Sequence, residues 1–249
     1  MPSPEFKLFS HREANFRIRS DRFDACVERI IRCRRELDAH IASHPAFKTA
    51  LSPLPSAPAP AFITRMYEAS QAVGVGPMAA VAGAVAEAAA WAAVAAGASE
   101  AIVENGGDIF IVGDKEVRLG LFAGTSPLSG KLALRASPGL FPLAVCSSSS
   151  TMGHSLSLGK CDLATVFSRD ACLADCAATQ AANLVKTRED IQSVLDAVSA
   201  IPGIDGLLII KGDSIGMTGR VPPLARNADA ELERKITRHS GAPLPRVVV

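Results

Sequence analysis

The stretch Ala101-Ile-Val-Glu-Asn-Gly-Gly-Asp-Ile-Phe-Ile-Val112 decides how this chain folds. Two apolar runs, Ala101–Val103 and Ile109–Val112, flank Glu104-Asn105-Gly106-Gly107-Asp108. Branched residues favour extended backbone, and Asn-Gly-Gly readily supplies the positive φ of a tight hairpin turn. The same residues support a second reading. Adjacent glycines let backbone N–H groups approach a ligand, while Asn105 and Asp108 offer an amide and a carboxylate. Spacing alone leaves hairpin turn and binding loop open together.

Outward from this hairpin, the pattern alternates helices with short strands. Upstream, Phe16-Arg17-Ile18-Arg19 alternates like a half-buried strand, and Phe23, Val27, Ile30, Ile31 and Leu37 share one face of the helix that follows. Residues 1–52 therefore form a strand-helix region. Residues 53–60, with prolines at 53, 55, 58 and 60, read as a linker. Residues 61–220 read as an α+β core. A helix over Phe62–Val73 is broken at Gly74-Val75-Gly76, Pro77 suits a new helix start, and Gly97 suits its end. Downstream strands are expected at Val117–Phe122, Lys131–Ala136, Phe141–Cys146, Leu163–Phe167 and Gly206–Ile210. Helices are expected at Cys172–Val185 and Arg188–Ala200. Short turns between successive strands imply mostly antiparallel sheets packed against Ala-rich helices. Residues 221–249 read as an irregular C-terminal extension.

Composition narrows the function. Of 249 residues, 48% are hydrophobic and only 5% aromatic, with a formal net charge of +1. That balance lacks the basic footprint of nucleic-acid binding. The polar start, Met1 to Arg12, carries no apolar signal segment. The Ala-rich run from Met78 to Gly97 contains Glu87 and reads as a helix buried in protein instead of a membrane span. Six cysteines without a compact framework suit reduced thiols, so a cytoplasmic location is expected.

Several motifs fail. Gly74-x-Gly76 lacks the third glycine of a dinucleotide fingerprint, and Gly130-Lys131 has no following Ser or Thr for a phosphate loop. Cys146 opens a Ser-rich run without the arginine that a phosphate-cradling thiol loop needs. His40 and His44, like Cys172 and Cys176, sit four residues apart without the further ligands zinc requires.

Two segments join the Asn-Gly-Gly-Asp turn as site candidates. Ser147-Ser148-Ser149-Ser150-Thr151-Met152-Gly153-His154 follows an apolar strand, which puts hydroxyls and amides at a strand end; it also reads as a low-complexity linker. Ser147, Ser148, Ser149 and Thr151 are candidate phosphate or ring-edge contacts. His154, which titrates near neutral pH, is a candidate catalytic donor or general acid, or else a structural histidine. Asp175 and Thr179 lie one turn apart on an apolar helix. An acid there costs free energy unless paired or metal-bound, and its oxygen chemistry suits Mg²⁺; favourable contact with the helix dipole is the alternative.

In this order, the three segments and the Ala-rich helix before them resemble the ApbE-like superfamily, whose best-known members are FAD:protein FMN transferases. The resemblance spans about Pro77 to Asn183. It is closest to a short branch carrying a Ser/Thr-Ser-x-Thr-x-Gly-His-Ser loop. It implies an α+β fold that binds FAD, with Mg²⁺ held through Asp175 and Thr179 and the flavin nucleotide lined by Asn105, Gly106, Gly107 and Asp108. The activity implied is FMN transfer to a Ser or Thr hydroxyl, or FAD hydrolysis to FMN and AMP. This chain departs from the transferases at Ala82 and Ala84, where they carry a lysine and an aromatic residue around the helix glycine. It departs again after His154, where Ser-Leu-Ser-Leu replaces Asp-Pro-x-Thr-Gly. The readings left open are a flavin-nucleotide transferase or hydrolase, a flavin- or metabolite-binding protein without turnover, and an enzyme of unrelated specificity reusing the pocket. In each, the partner is a small nucleotide or anionic metabolite. Homo-oligomer formation is left open.

Overall fold

A computed structural model describes residues 4–150, 159–227 and 246–248. Its spine is an antiparallel eight-stranded sheet in the order β1-β2-β3-β4-β7-β8-β9-β10. The strands are β1 (Lys7–His11), β2 (Ala14–Ser20), β3 (Ala101–Asn105), β4 (Asp108–Val112), β7 (Leu143–Ser148), β8 (Leu163–Ser168), β9 (Ile204–Lys211) and β10 (Ser214–Gly219). A smaller sheet, in the order β11-β6-β5-β12, covers part of one face. It contains β5 (Val117–Phe122), β6 (Leu132–Ala136), β11 (Leu224–Arg226) and β12 (Arg246–Val248).

Alternation along the central strands separates two cores. Ile109 and Ile111 pack with Leu119, Leu121 and Leu134 between the sheets. Phe110, Ala144 and Cys146 turn the other way, into a core shared with the helices. A strand buried on both faces must be apolar at every position, which explains the unbroken run Ile109-Phe-Ile-Val112.

The helix layer contains α1 (Phe23–Ser43), α2 (Ala46–Thr49), α3 (Ala61–Val73), α4 (Val81–Ala95), α5 (Ala171–Leu184) and α6 (Asp190–Ser199). A short 3₁₀ turn, Pro77–Ala80, leads into α4. Pro77–Ala95 is long and apolar enough to cross a membrane by length and composition. Half of it is buried inside the fold, however, where α4 packs on α1, α5, β3 and β4. Small alanine side chains permit those close approaches, and Ala86, Ala89, Ala90 and Ala93 are fully buried.

Three features differ from the sequence expectation. The N-terminal strand-helix region is not set apart by the proline-rich stretch. β2 pairs with β3 in register Ile18↔Val103, extending the main sheet. The C-terminal region is not simply irregular, because β11 pairs with β6 and β12 with β5. Two further strands, β1 and β10, lie at the sheet edges; short polar-apolar mixtures there give weak periodic signals.

Candidate functional site

Asn105 ends β3 and Asp108 begins β4, directly paired across Gly106-Gly107. The glycines have φ of 67° and 101°, so the turn is a two-residue hairpin of the kind that needs left-handed backbone twice. Its flanks are not solvated: Asn105 and Asp108 are both buried. Asn105 donates from Nδ2 to the Ala82 carbonyl at 3.2 Å. Asp108 accepts at Oδ1 from the Ser147 N–H at 3.1 Å. The turn is thereby fastened to the start of α4 on one side and to β7 on the other.

Across the helix layer, α4 and α5 meet at Gly83. A Cβ built at that position would lie 2.4 Å from the Ala171 carbonyl oxygen and 3.1 Å from the Asp175 Cβ. Only glycine permits this approach. Gly83 N–H donates to Asp175 Oδ2 at 2.9 Å. The donor is one of the backbone groups that the first turn of a helix leaves without an intrahelical partner. Asp175 is buried, and burial pushes its carboxyl up to about 7, against the opposing pull of the Gly83 and Ala82 backbone hydrogen bonds. Cys146 feels the charge of both acids. Burial raises its thiol well above the ordinary range, and the charges of Asp108 and Asp175 raise it further. Cys146 Sγ also donates to the Ala171 carbonyl, at 3.6 Å. The thiol is thus held protonated, and two acids share one small region of the core.

A second polar cluster locks the same helix pair. Glu87 on α4 forms a two-pronged pair with Arg65, both contacts at 2.9 Å. Glu87 Oε2 also accepts from Ala171 N–H, at 2.9 Å, at the start of α5. Arg65 reaches Asp170 at 3.0 Å, and Asp170 caps α5 by accepting from Leu173 N–H at 3.0 Å.

The serine run divides. Ser148 shares the helix-facing side of β7 with Cys146. Ser147 Oγ instead meets Thr165 Oγ1 at 2.9 Å, and Ser149 Oγ donates to the Cys161 carbonyl at 3.1 Å. Both hydroxyls therefore have protein partners. Thr179 lies one turn beyond Asp175 on α5 and is half-exposed. Thr151 and His154 lie outside the described residues. His40 bonds Tyr67 Oη at 2.9 Å and stacks on His44. The six cysteines are buried and free, and among the described residues no His, Cys, Asp or Glu group of three or more gathers as a metal cluster.

The sequence reading did not anticipate the Arg65–Glu87–Asp170 clamp, since its members come from three helices far apart in the chain. Gly83, a glycine in an alanine helix, was the available clue to the close α4–α5 contact.

A family model, described as AbpE bacteria, matches residues 5–205. This chain belongs to that family. Related chains include a UPF0280 protein of Methanospirillum hungatei, 43% identical over 203 residues and 82% of each chain. Another, from Methanothrix thermoacetophila, is 45% identical over 199 residues, covering 79% of this chain and 83% of that one. Among solved structures, the flavinyl transferase ApbE of Pseudomonas stutzeri, apo form, matches with a TM-score of 0.55 at 10% identity. That match covers 88% of this chain and 95% of the other. The ApbE protein of Thermotoga maritima gives a TM-score of 0.55 at 14% identity, covering 86% and 96%. The ApbE-like resemblance and the α+β class both stand; at these identities the solved structures speak for the fold alone.

Proposed function

We propose that this AbpE-family protein binds FAD or a related anionic nucleotide, with Mg²⁺, where α4 and α5 meet the β3–β4 turn. On this reading it transfers FMN or hydrolyses FAD to FMN and AMP. The observation that carries the reading is Asp175: a buried acid on a helix-start N–H, acting with Asp108 on the same Cys146 thiol, while Arg65 is committed to Glu87 and Asp170. A buried acid so placed holds either a proton or a cation.

The donor set suits Mg²⁺. Asp175 and Thr179 would hold it through hard oxygens, with phosphate and water completing its shell. Bound there, it would offset phosphate charge as a phosphoanhydride breaks. Asn105, Asp108 and the intervening glycine N–H groups would line the nucleotide, with Ser148 at the β7 end. Ser147 and Ser149, with their hydroxyls engaged, would serve by shaping the end of β7. The flavinyl transferase activity named for the P. stutzeri relative supports the ligand class.

The test is AMP release from FAD by the purified protein, with and without Mg²⁺. Asp175→Asn should lower it by on the order of a hundredfold, as loss of a metal-supporting group commonly does. Absence of both FAD binding and AMP release in the wild type with Mg²⁺ would sink the proposal. One observation favours binding without turnover: Ala82 and Ala84 bring no functional side chain to the start of α4, and Glu87 is tied up in its ion pair. Saturable FAD binding with no AMP formed would select that reading.

A further inference from the structure

Where α4 faces α1, the N-terminal hairpin closes over a pocket of about 200 Å³. Its walls are apolar: Phe16 from β2, Ile30 and Leu37 from α1, Val81 and Val85 from α4. His11, Glu13 and Arg34 stand around it, and Ala82 and Asn105 line the side toward the hairpin turn. An apolar cavity of about 150 Å³ accepts a benzene ring, so this one has room for a single ring with a small substituent. Such a combination of apolar walls and a few converging polar groups is what small-molecule sites have in common.

We propose that this pocket is a second small-molecule site, for a carboxylic acid carrying one ring or a comparably sized branched apolar body. The acid is assigned from Arg34. Its Nη2 donates a long 3.4 Å hydrogen bond to Glu13 Oε2, while its buried Nε, 3.2 Å from Asp38 Oδ1, is ion-paired there without a hydrogen bond. The Arg34 side chain is 32% exposed, whereas that of Glu13 is 75% exposed. A guanidinium presents five donors in a planar fork that matches a carboxylate. A ligand carboxylate can therefore displace the exposed Glu13 from Arg34, while Asp38, held by Arg12, remains as an ion-pair neighbour. Its apolar body would then lie against Phe16, Leu37 and Val85, with the Asn105 side of the pocket beyond. A cationic ligand would instead face Arg34 at close range.

The experiment is titration of benzoate into the full-length protein, followed by calorimetry and by NMR of the ligand, in buffer without nucleotide or Mg²⁺. Saturable binding is expected, with benzylamine at least tenfold weaker. Arg34→Met should weaken benzoate about tenfold, the equivalent of one charged contact. Val85→Phe should abolish binding by filling the space. If Val85→Phe fails to fold, Arg34→Met, a change at a part-exposed side chain, carries the test with its thermal midpoint as control. FAD binding, measured separately, should be unchanged in Arg34→Met, so this proposal and the nucleotide reading succeed or fail apart. The proposal is overturned if the wild type does not bind benzoate saturably. It is equally overturned if benzylamine binds as well as benzoate, or if folded variants bind as the wild type does.

Discussion

Two carboxylates sit on the α4–α5 contact and treat the same problem in opposite ways. Glu87, from α4, accepts the Ala171 N–H at the start of α5; Asp175, from α5, accepts the Gly83 N–H at the start of α4. Each helix thus supplies an acid to a backbone donor of the other. Glu87 is also neutralised by a two-pronged Arg65, whereas burial drives Asp175 toward its protonated form. The difference separates a structural fastening from an acid that a proton, and no cationic side chain among the described residues, neutralises. Neutralised acids hold helices together, and an acid without a cation is where ligand chemistry can enter.

The largest effect should come from breaking the neutralised side. Glu87→Ala leaves Arg65 and the Ala171 N–H without their acceptor. For a buried pair that costs roughly 3–5 kcal/mol, and the part-exposed Arg65 brings the expectation to about 3 kcal/mol. Urea unfolding measures it; a loss under about 1 kcal/mol would mean that the clamp does not hold the helices. Gly83→Ala should cost about 2 kcal/mol, because the new methyl has no room between the helices and overpacking strains the backbone. It should also weaken FAD binding, since Asp175 would be pushed from its donor.

The third effect is a slope. The Asp175 carboxyl titrates near 7 in the folded protein and near 3.8 when unfolded. Between those values the folded state binds more protons, so the stability contributed is present below about pH 4 and is lost as pH rises toward 7. The expected slope is about 1 kcal/mol per pH unit within that window. Asp175→Asn should remove it in metal-free buffer, and unfolding curves collected from pH 4 to 8 would show whether it does. The smallest effect is expected at Asp170→Ala. It deletes the α5 cap and a half-exposed contact with Arg65, for about 1 kcal/mol. If Asp170→Ala cost as much as Glu87→Ala, the clamp would centre on the cap instead of on Glu87.

Much of this arrangement was legible in sequence because it is local. The unbroken apolar run Ile109-Phe-Ile-Val112 and the Asn-Gly-Gly-Asp turn announced a buried hairpin, and alanine with flanking glycines announced α4. The hairpin reading of the turn holds: Gly106 and Gly107 make the reversal, while Asn105 and Asp108 tie it to α4 and β7. Side-chain direction at the end of β7 was less legible. Strand alternation sends Ser147 and Ser148 to opposite faces, but where β7 ends and which face the helices cover are tertiary facts. Arg65 was beyond reach for a stronger reason. Nothing near it in the chain hints that its partners are Glu87 and Asp170, because charge pairing across helices leaves no periodic trace. The same holds for β11 and β12, whose three-residue pairings depend on a sheet formed elsewhere.

The pairing of β2 with β3 has a consequence for how the molecule comes into being. Residues 14–20 find their sheet partner only at residues 101–105. On a ribosome, the first hairpin and α1 must wait while some eighty further residues are synthesised. Contacts so distant in sequence slow folding, and the waiting segment exposes an unpaired strand edge meanwhile. The nascent chain is therefore most vulnerable to mispairing just before residue 105 emerges, and pulse proteolysis of stalled chains on either side of that length would reveal the moment of protection.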